Sequence, residues 1–267
     1  MLSYQHIYHA GNLADVHKHS MLAWVLDYMT RKDKPLSYME THAGRGLYDL
    51  TDAAAIKTGE AAQGIARAAE WFAPDHPYSQ VRARIRATHG ANAYPGSPAV
   101  AAESIRPMDN MYLSELHPQE FAALQTNMAA YGGVFKQMDG WDMALSMCPP
   151  EPRRGLLLID PSYEIKSDYE TIPKTISQIH RKWGVGVIML WYPILIDGPH
   201  KPMVRALQSA LPEAVTHEVS FPPARAGHRM IGSGLFVVNA PYGFEEEATR
   251  LSALFQAKLR HAGADDG

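Results

Sequence analysis

Hydrophobic and polar positions along this chain follow two alternating periods. Short runs dense in aliphatic or β-branched residues, bounded by Gly or Pro, predict strands over 35–41 (PLSYMET), 111–116 (MYLSEL), 134–138 (VFKQM), 155–159 (GLLLI), 185–192 (VGVIMLWY), 215–221 (VTHEVSF) and 234–239 (GLFVVN). Between them, apolar residues three and four apart predict helices, among them 118–131 and 200–211. A leading helix over about 13–31 carries Leu22, Val25, Leu26 and Met29 on one face, which should pack on a sheet. This alternation predicts an α/β protein: a doubly wound, mostly parallel sheet of seven strands with helices on both faces.

One region breaks the rhythm. The acid that closes the first strand, Glu40, and the acid that closes the second, Glu115, stand much farther apart than the roughly 20 residues of a simple βαβ unit. The intervening text AAQGIARAAEWFA and SQVRARIRATHG reads as two short helices broken by PDHP. The expected organisation is therefore a core of residues 1–49 and 94–267 with a small inserted helical subdomain over 50–93.

Composition narrows the function. The chain is 46% hydrophobic and 20% charged, enough to bury a sizeable core. No apolar run approaches the roughly 20 residues of a membrane-spanning helix, and the N-terminus lacks a signal peptide's apolar stretch, so a cytoplasmic location and no membrane partner are expected. The single cysteine, Cys148, excludes an internal disulfide and any multi-cysteine metal site. A net charge of −3 gives no global field for a polyanion, so nucleic-acid binding would need a local patch.

Chemistry concentrates at the strand ends. Glu40-Thr41-His42-Ala43-Gly44-Arg45-Gly46 sets an acid before a G-x-G, where the backbone can approach a ligand closely. Glu115, Asp139-Gly140 and Asp160 close the next three strands, and strand C-termini share the edge where doubly wound folds bind ligands. Glu115 is placed to accept both hydroxyls of a ribose. A plainer reading stands beside this one, that Glu115 and Asp139 cap the helices that follow. The run LLLIDPSYE reads as a strand buried on both faces that delivers Asp160 to a loop. His6, His9, His17 and His19 lack the companion acid or cysteine spacing of a metal site, and no metal is expected.

Taken together these motifs resemble class I S-adenosylmethionine-dependent methyltransferases with a Rossmann-like fold, D-P-S-Y standing as a variant of the D-P-P-Y signature of amino-methylating enzymes. Further motifs match in order over nearly the whole chain: Leu2-Ser3-Tyr4, His9-Ala10-Gly11-Asn12, Asp15, Lys18-His19, Thr41-His42-Ala43-Gly44, Tyr94-Pro95-Gly96-Ser97-Pro98, Glu115-Leu116-His117-Pro118, Arg153-Arg154-Gly155, Trp191-Tyr192-Pro193 and Ser233-Gly234. With these the chain resembles the bacterial 23S ribosomal RNA (adenine-N6)-methyltransferase J family.

That resemblance implies a monomeric enzyme acting on one adenine of 23S rRNA, adenine 2030 in the numbering of that RNA, before the subunit is fully assembled. The cofactor would be S-adenosylmethionine, leaving as S-adenosylhomocysteine. Carried over residue by residue, the cofactor falls to Lys18, His19, His42, Gly44, Ser97, Glu115, Asp139, Gly140 and Asp160. Tyr4 falls to the RNA substrate. Asp160 and the Pro161 carbonyl would each accept one N6 hydrogen, and Tyr163 would stack on the base. An aspartate is too weak a base to deprotonate the amine beforehand, so the proton is expected to leave with or after methyl transfer. The segment around the N-terminal histidines is expected to cover cofactor and base.

Ser162 replaces the family's second proline, which puts rate in question more than reaction type. Among the scattered cations, Arg45, Arg82, Arg84 and Arg86 read as a solvated basic face. Lys166, Arg225 and Arg229 flank the sheet edge of Asp160 and are expected to contact phosphates. Two other functions fit parts of the pattern: a DNA adenine methyltransferase, although no DNA-recognition domain follows the motif, and a non-catalytic RNA-binding relative.

Overall fold

The computed structural model describes residues 4–225 and 227–261; Leu2 and Ser3 of the N-terminal motif lie outside them. In chain order the elements are α1 (Leu13–Thr30), β1 (Ser37–Glu40), β2 (Leu47–Asp49), α2 (Ala53–Thr58), α3 (Glu60–Gln63), α4 (Ile65–Ala68), α5 (Pro77–His89), β3 (Ala93–Pro95) and α6 (Ser97–Ser104). There follow β4 (Asn110–Ser114), α7 (Pro118–Met128), β5 (Val134–Lys136), α8 (Gly140–Met147), β6 (Gly155–Ile159), α9 (Asp168–Lys182), β7 (Val187–Leu195), α10 (His200–Ala210), β8 (Val215–Ser220), β9 (Met230–Val238) and α11 (Phe244–His261).

All seven predicted strands join one sheet, ordered β5-β4-β1-β6-β7-β9-β8. The first five run parallel, and β9 enters antiparallel to both β7 and β8. From β1 the chain runs outward through β4 to β5 and later, in the other direction, through β6 to β7. The C-terminal ends of β1, β4 and β6 thus surround the point where strand order reverses, the place where such sheets open a crevice.

Strand geometry sends alternate side chains to opposite faces. Leu156 and Leu158 join the core beneath α1, α6 and α11, whereas Leu157 and Ile159 join the core beneath α8, α9 and α10. Burial on both faces is why β6 reads as an unbroken aliphatic run.

Two expectations change here. Helix α1 does not pack one face only: it is wrapped by α4, α5, α6, α11 and β9, and Asp15, His17, Lys18, His19 and Ser20 are all buried with its apolar residues. The 50–93 segment holds four helices rather than two, because α2 forms ahead of the predicted pair and AAQGIARAAEWFA breaks at Gly64. A Cβ on Gly64 would lie 2.0 Å from the Gly11 carbonyl oxygen, so this glycine is what lets α4 press against the N-terminal segment. The antiparallel pair β2–β3 brackets the segment, and Ala68, Tyr78, Val81 and Ile85 share the core of α1. No helix among the described residues is long and apolar enough to cross a membrane.

Candidate functional site

The four strand-end acids meet at one edge, in two layers. Glu40 is fully buried as the last residue of β1 and accepts hydroxyl hydrogen bonds from Tyr38 (2.7 Å) and Ser97 (2.5 Å). Burial pushes its carboxyl up to about 8 despite those donors. It forms the floor, while Glu115, Asp139 and Asp160 line the open pocket above it.

Each lining acid is positioned by backbone. Glu115 accepts the Gly44 N–H at 2.8 Å on one oxygen and the His117 N–H at 2.7 Å on the other. It does not cap α7; His117 does, through Nδ1. Asp139 does cap α8, with Oδ1 accepting from Trp141 and Asp142 at 2.8 and 3.1 Å, and it still lines the pocket, so capping and ligand contact are compatible there. Gly44, at φ 57°, turns the backbone toward the pocket in a conformation that favours glycine.

Helix α1 supplies the other wall. Lys18 Nζ lies 2.5 Å from Asp160 Oδ2 and 3.3 Å from Asp15 Oδ1. Burial alone would lower the lysine's pKa, but Asp160 and then Asp15 outweigh it and hold it above the ordinary value. Burial also raises Asp15, yet His6 (2.9 Å) and Lys18 carry its carboxyl well below the usual range. Asp15 and His6 are the functional neighbours that residue-by-residue reading did not assign. Their signal was present: Asp15 stands three residues before Lys18 and four before His19, which sets all three on one helix face.

The four N-terminal histidines find separate partners. His6 meets Asp15, His9 meets Glu60, and His17 meets Ser233 and His217 in the core. His19 bonds Tyr94 through Nδ1, while its buried Nε2 has no hydrogen-bond partner. Burial holds His19 near 3 and His42 near 4, so both present neutral rings to the pocket. Among the described residues no group of three His, Cys, Asp or Glu side chains could hold a metal.

Of the residues predicted for the site, Tyr4, Lys18, His19, His42, Gly44, Ser97, Glu115, Asp139, Gly140, Asp160 and Pro161 line this pocket, together with Ser162. Tyr163 does not. A positive φ of 57° turns it inward, its hydroxyl donates to the Trp191 carbonyl at 2.7 Å, and its ring packs on Tyr169 and Trp191, which removes it as a stacking face in this conformation. Lys166 and Arg229 also lie outside the pocket; Arg229 is exposed and pairs with Asp197 at 2.6 Å. Arg225 lines an adjoining cleft.

Of the other arginines, Arg84 and Arg86 are exposed as expected of a solvated face, whereas Arg45 and Arg82 are not. Arg45 is bidentate on Glu120, Arg84 pairs with Glu103, and Arg82 is buried with its guanidinium over the Tyr78 ring.

The pocket has a cavity volume of about 210 Å³ and opens to solvent. The lining acids Glu115, Glu120, Asp139, Asp160, Glu164 and Asp168 suit a cationic group, Glu115 suits ribose hydroxyls, and buried His19 Nε2, 3.7 Å from Asp15 Oδ1, makes no hydrogen bond.

Known proteins resemble this chain over most of its length. A crystal structure of a protein from Legionella pneumophila superposes with a TM-score of 0.84 at 35% identity, covering 94% of each chain. The ribosomal RNA large subunit methyltransferase J of Escherichia coli is 34% identical over 270 residues, covering 98% of this chain and 96% of that protein. The Haemophilus influenzae protein of the same name is 34% identical over 255 residues, covering 92% and 90%. The family model described as ribosomal RNA large subunit methyltransferase D, RlmJ, matches residues 33–266. This chain belongs to that family.

Proposed function

We propose that this protein transfers a methyl group from S-adenosylmethionine to N6 of one adenine in 23S rRNA, adenine 2030 in that RNA's numbering, before subunit assembly closes off the site. The observation that carries the reading is the Asp160-Pro161-Ser162 loop lining the same pocket as Glu115 and Asp139, with Lys18 fixed on one Asp160 oxygen. The family membership supports the rRNA substrate.

S-adenosylmethionine, when bound, supplies an electrophilic methyl group with a neutral thioether as leaving group. Glu115 takes the ribose hydroxyls, and Asp139, His19, His42, Ser97 and the Gly44 and Gly140 backbone complete the cofactor's surroundings. The adenine amine is a poor nucleophile because its lone pair is delocalised into the ring, so the residues' main work is alignment. Asp160 accepts one N6 hydrogen on the oxygen that Lys18 leaves open, and the Pro161 carbonyl accepts the other. Their pull favours the geometry in which the lone pair points at the methyl. As the new C–N bond forms, N6 becomes acidic and its proton leaves past Asp160 to water at the pocket mouth.

Lys18 is a positioning residue in this scheme. Tyr163 supports the loop from beneath, and Tyr4, at the mouth, contacts the RNA.

The proposal is tested by calorimetric titration of S-adenosylmethionine, followed by incubation with protein-free 23S rRNA or duplex DNA. Cofactor binding with N6-methyladenosine formed in the RNA alone is expected. Product in DNA alone would move the substrate to the DNA class.

A further inference from the structure

Beside the reaction pocket lies a second cleft, and Tyr4 and Glu164 line both, so the two are continuous. We infer that this cleft is a subsite for the nucleotide adjoining the target adenine on the RNA strand, with Tyr8 receiving its base and Lys57 and Arg225 its phosphates. The inference rests on the reading that the substrate is RNA.

The cleft has the two features a single-stranded nucleotide requires, aromatic faces and exposed cations. Tyr8 and His9 line it with Tyr4; Lys57 comes from α2 and Arg225 from the β8–β9 connection, both exposed. Lys57 Nζ sits over the Tyr8 ring, 5.9 Å from its centroid, so a base that stacks on that face displaces the ammonium toward the incoming phosphate.

The Tyr8 backbone and the His9 ring are held before any RNA arrives. The Thr58 hydroxyl donates to the Tyr8 carbonyl at 2.5 Å. Buried Glu60 holds His9 at 2.9 Å, and His9 lies parallel to Tyr4 with ring centroids 5.7 Å apart and planes 11° from coplanar. Preorganisation of this kind lowers the entropic cost of binding. A role for the inserted helices follows: α2 contributes Lys57 and Thr58, and α3 contributes Glu60.

The test uses the full-length protein with protein-free 23S rRNA and three variants, Lys57→Glu, Tyr8→Ala and Tyr8→Phe. For Lys57→Glu, at an exposed position, an increase in KM for RNA of about tenfold or more and a shallower salt dependence of RNA binding are expected. For Tyr8→Ala, loss of one stacked base predicts roughly five- to hundredfold weaker RNA binding, with Tyr8→Phe close to wild type. In all three, S-adenosylmethionine affinity and kcat at saturating RNA should stay within about twofold. RNA binding within twofold of wild type for both Lys57→Glu and Tyr8→Ala would overturn the subsite. A wild-type protein that binds RNA without methylating it would instead count against the proposed reaction, and the binding comparison would still decide the subsite. A wild-type protein that binds no RNA would overturn both.

Discussion

Lys18 bridges to Asp160 across the pocket, Nζ to Oδ2 at 2.5 Å, with Asp15 behind it at 3.3 Å. One buried cation therefore joins the first helix to the loop after β6. Its removal leaves Asp160 without its counter-charge while Asp15 keeps His6 and His19, and breaking a buried pair from one side costs about 3–5 kcal/mol. Lys18→Met is expected to lower kcat by at least about a hundredfold through a mispositioned Asp160, and to lower Tm. Rapid-quench methylation assays and thermal melts check it; unchanged kcat would remove Lys18 from the mechanism.

Glu40 gives a pH prediction. Its folded pKa of about 8 lies above the ordinary 4.5, so the folded chain holds a proton that the unfolded chain releases between those values. The stabilising contribution is complete below pH 4.5 and is lost as pH rises through about 8. Glu40→Gln, which is permanently neutral, should therefore gain Tm relative to wild type between pH 5 and pH 9. Parallel melts over that range measure it, and a constant difference would contradict the assignment.

These two sites show what was legible in the sequence. The strand-end acids could be located because strands reveal themselves by period, and their C-termini must share an edge. Asp160 and Glu115 follow from that logic. What periodicity could not show is depth: Glu40 carries the same strand-end signature as Glu115 yet forms a buried floor, because Tyr38 and Ser97 close over it. Nor could it show direction at Tyr163, where a left-handed backbone turns the ring inward. Charge counting failed at Arg45 and Arg82 for the same reason, since their partners lie far away in sequence.

Ser162 lines the pocket without a strong bond of its own; its hydroxyl lies 3.5 Å from the Glu164 N–H, at the edge of hydrogen-bonding range. Ser162→Pro should keep turnover or raise it, with Asp160 and the Pro161 carbonyl unchanged. A loss of tenfold or more in kcat, roughly 1.4 kcal/mol, would give the serine a role in the reaction.

Ser233 joins a buried chain of polar groups behind the site. Its hydroxyl accepts the Trp191 indole N–H at 2.9 Å and meets His17 Nδ1 at 2.8 Å, and His17 continues to His217 and Ser252. Lys18 Nζ sits 5.4 Å from the Trp191 ring centroid. Ser233→Ala strands two buried polar atoms at about 1–3 kcal/mol each. Denaturant unfolding should show that loss, whereas a neutral result would mean that the groups find new partners.

Arg229 and Lys166 lie outside the pocket. Exchange of the exposed Arg229–Asp197 pair for an Arg229–phosphate contact costs little. Arg229→Ala and Lys166→Ala should each weaken RNA binding and reduce its salt slope by about one. An unchanged slope would remove that residue from the interface.

The central claim is that the Asp160 loop aligns an RNA adenine amine. The most direct measurement is nucleoside mass spectrometry of 23S rRNA after incubation with S-adenosylmethionine and either wild-type protein or Asp160→Ala, with cofactor binding measured for both. N6-methyladenosine formed by wild type, and absent with a variant that still binds cofactor, is the predicted result. Equal product from both proteins would contradict the account.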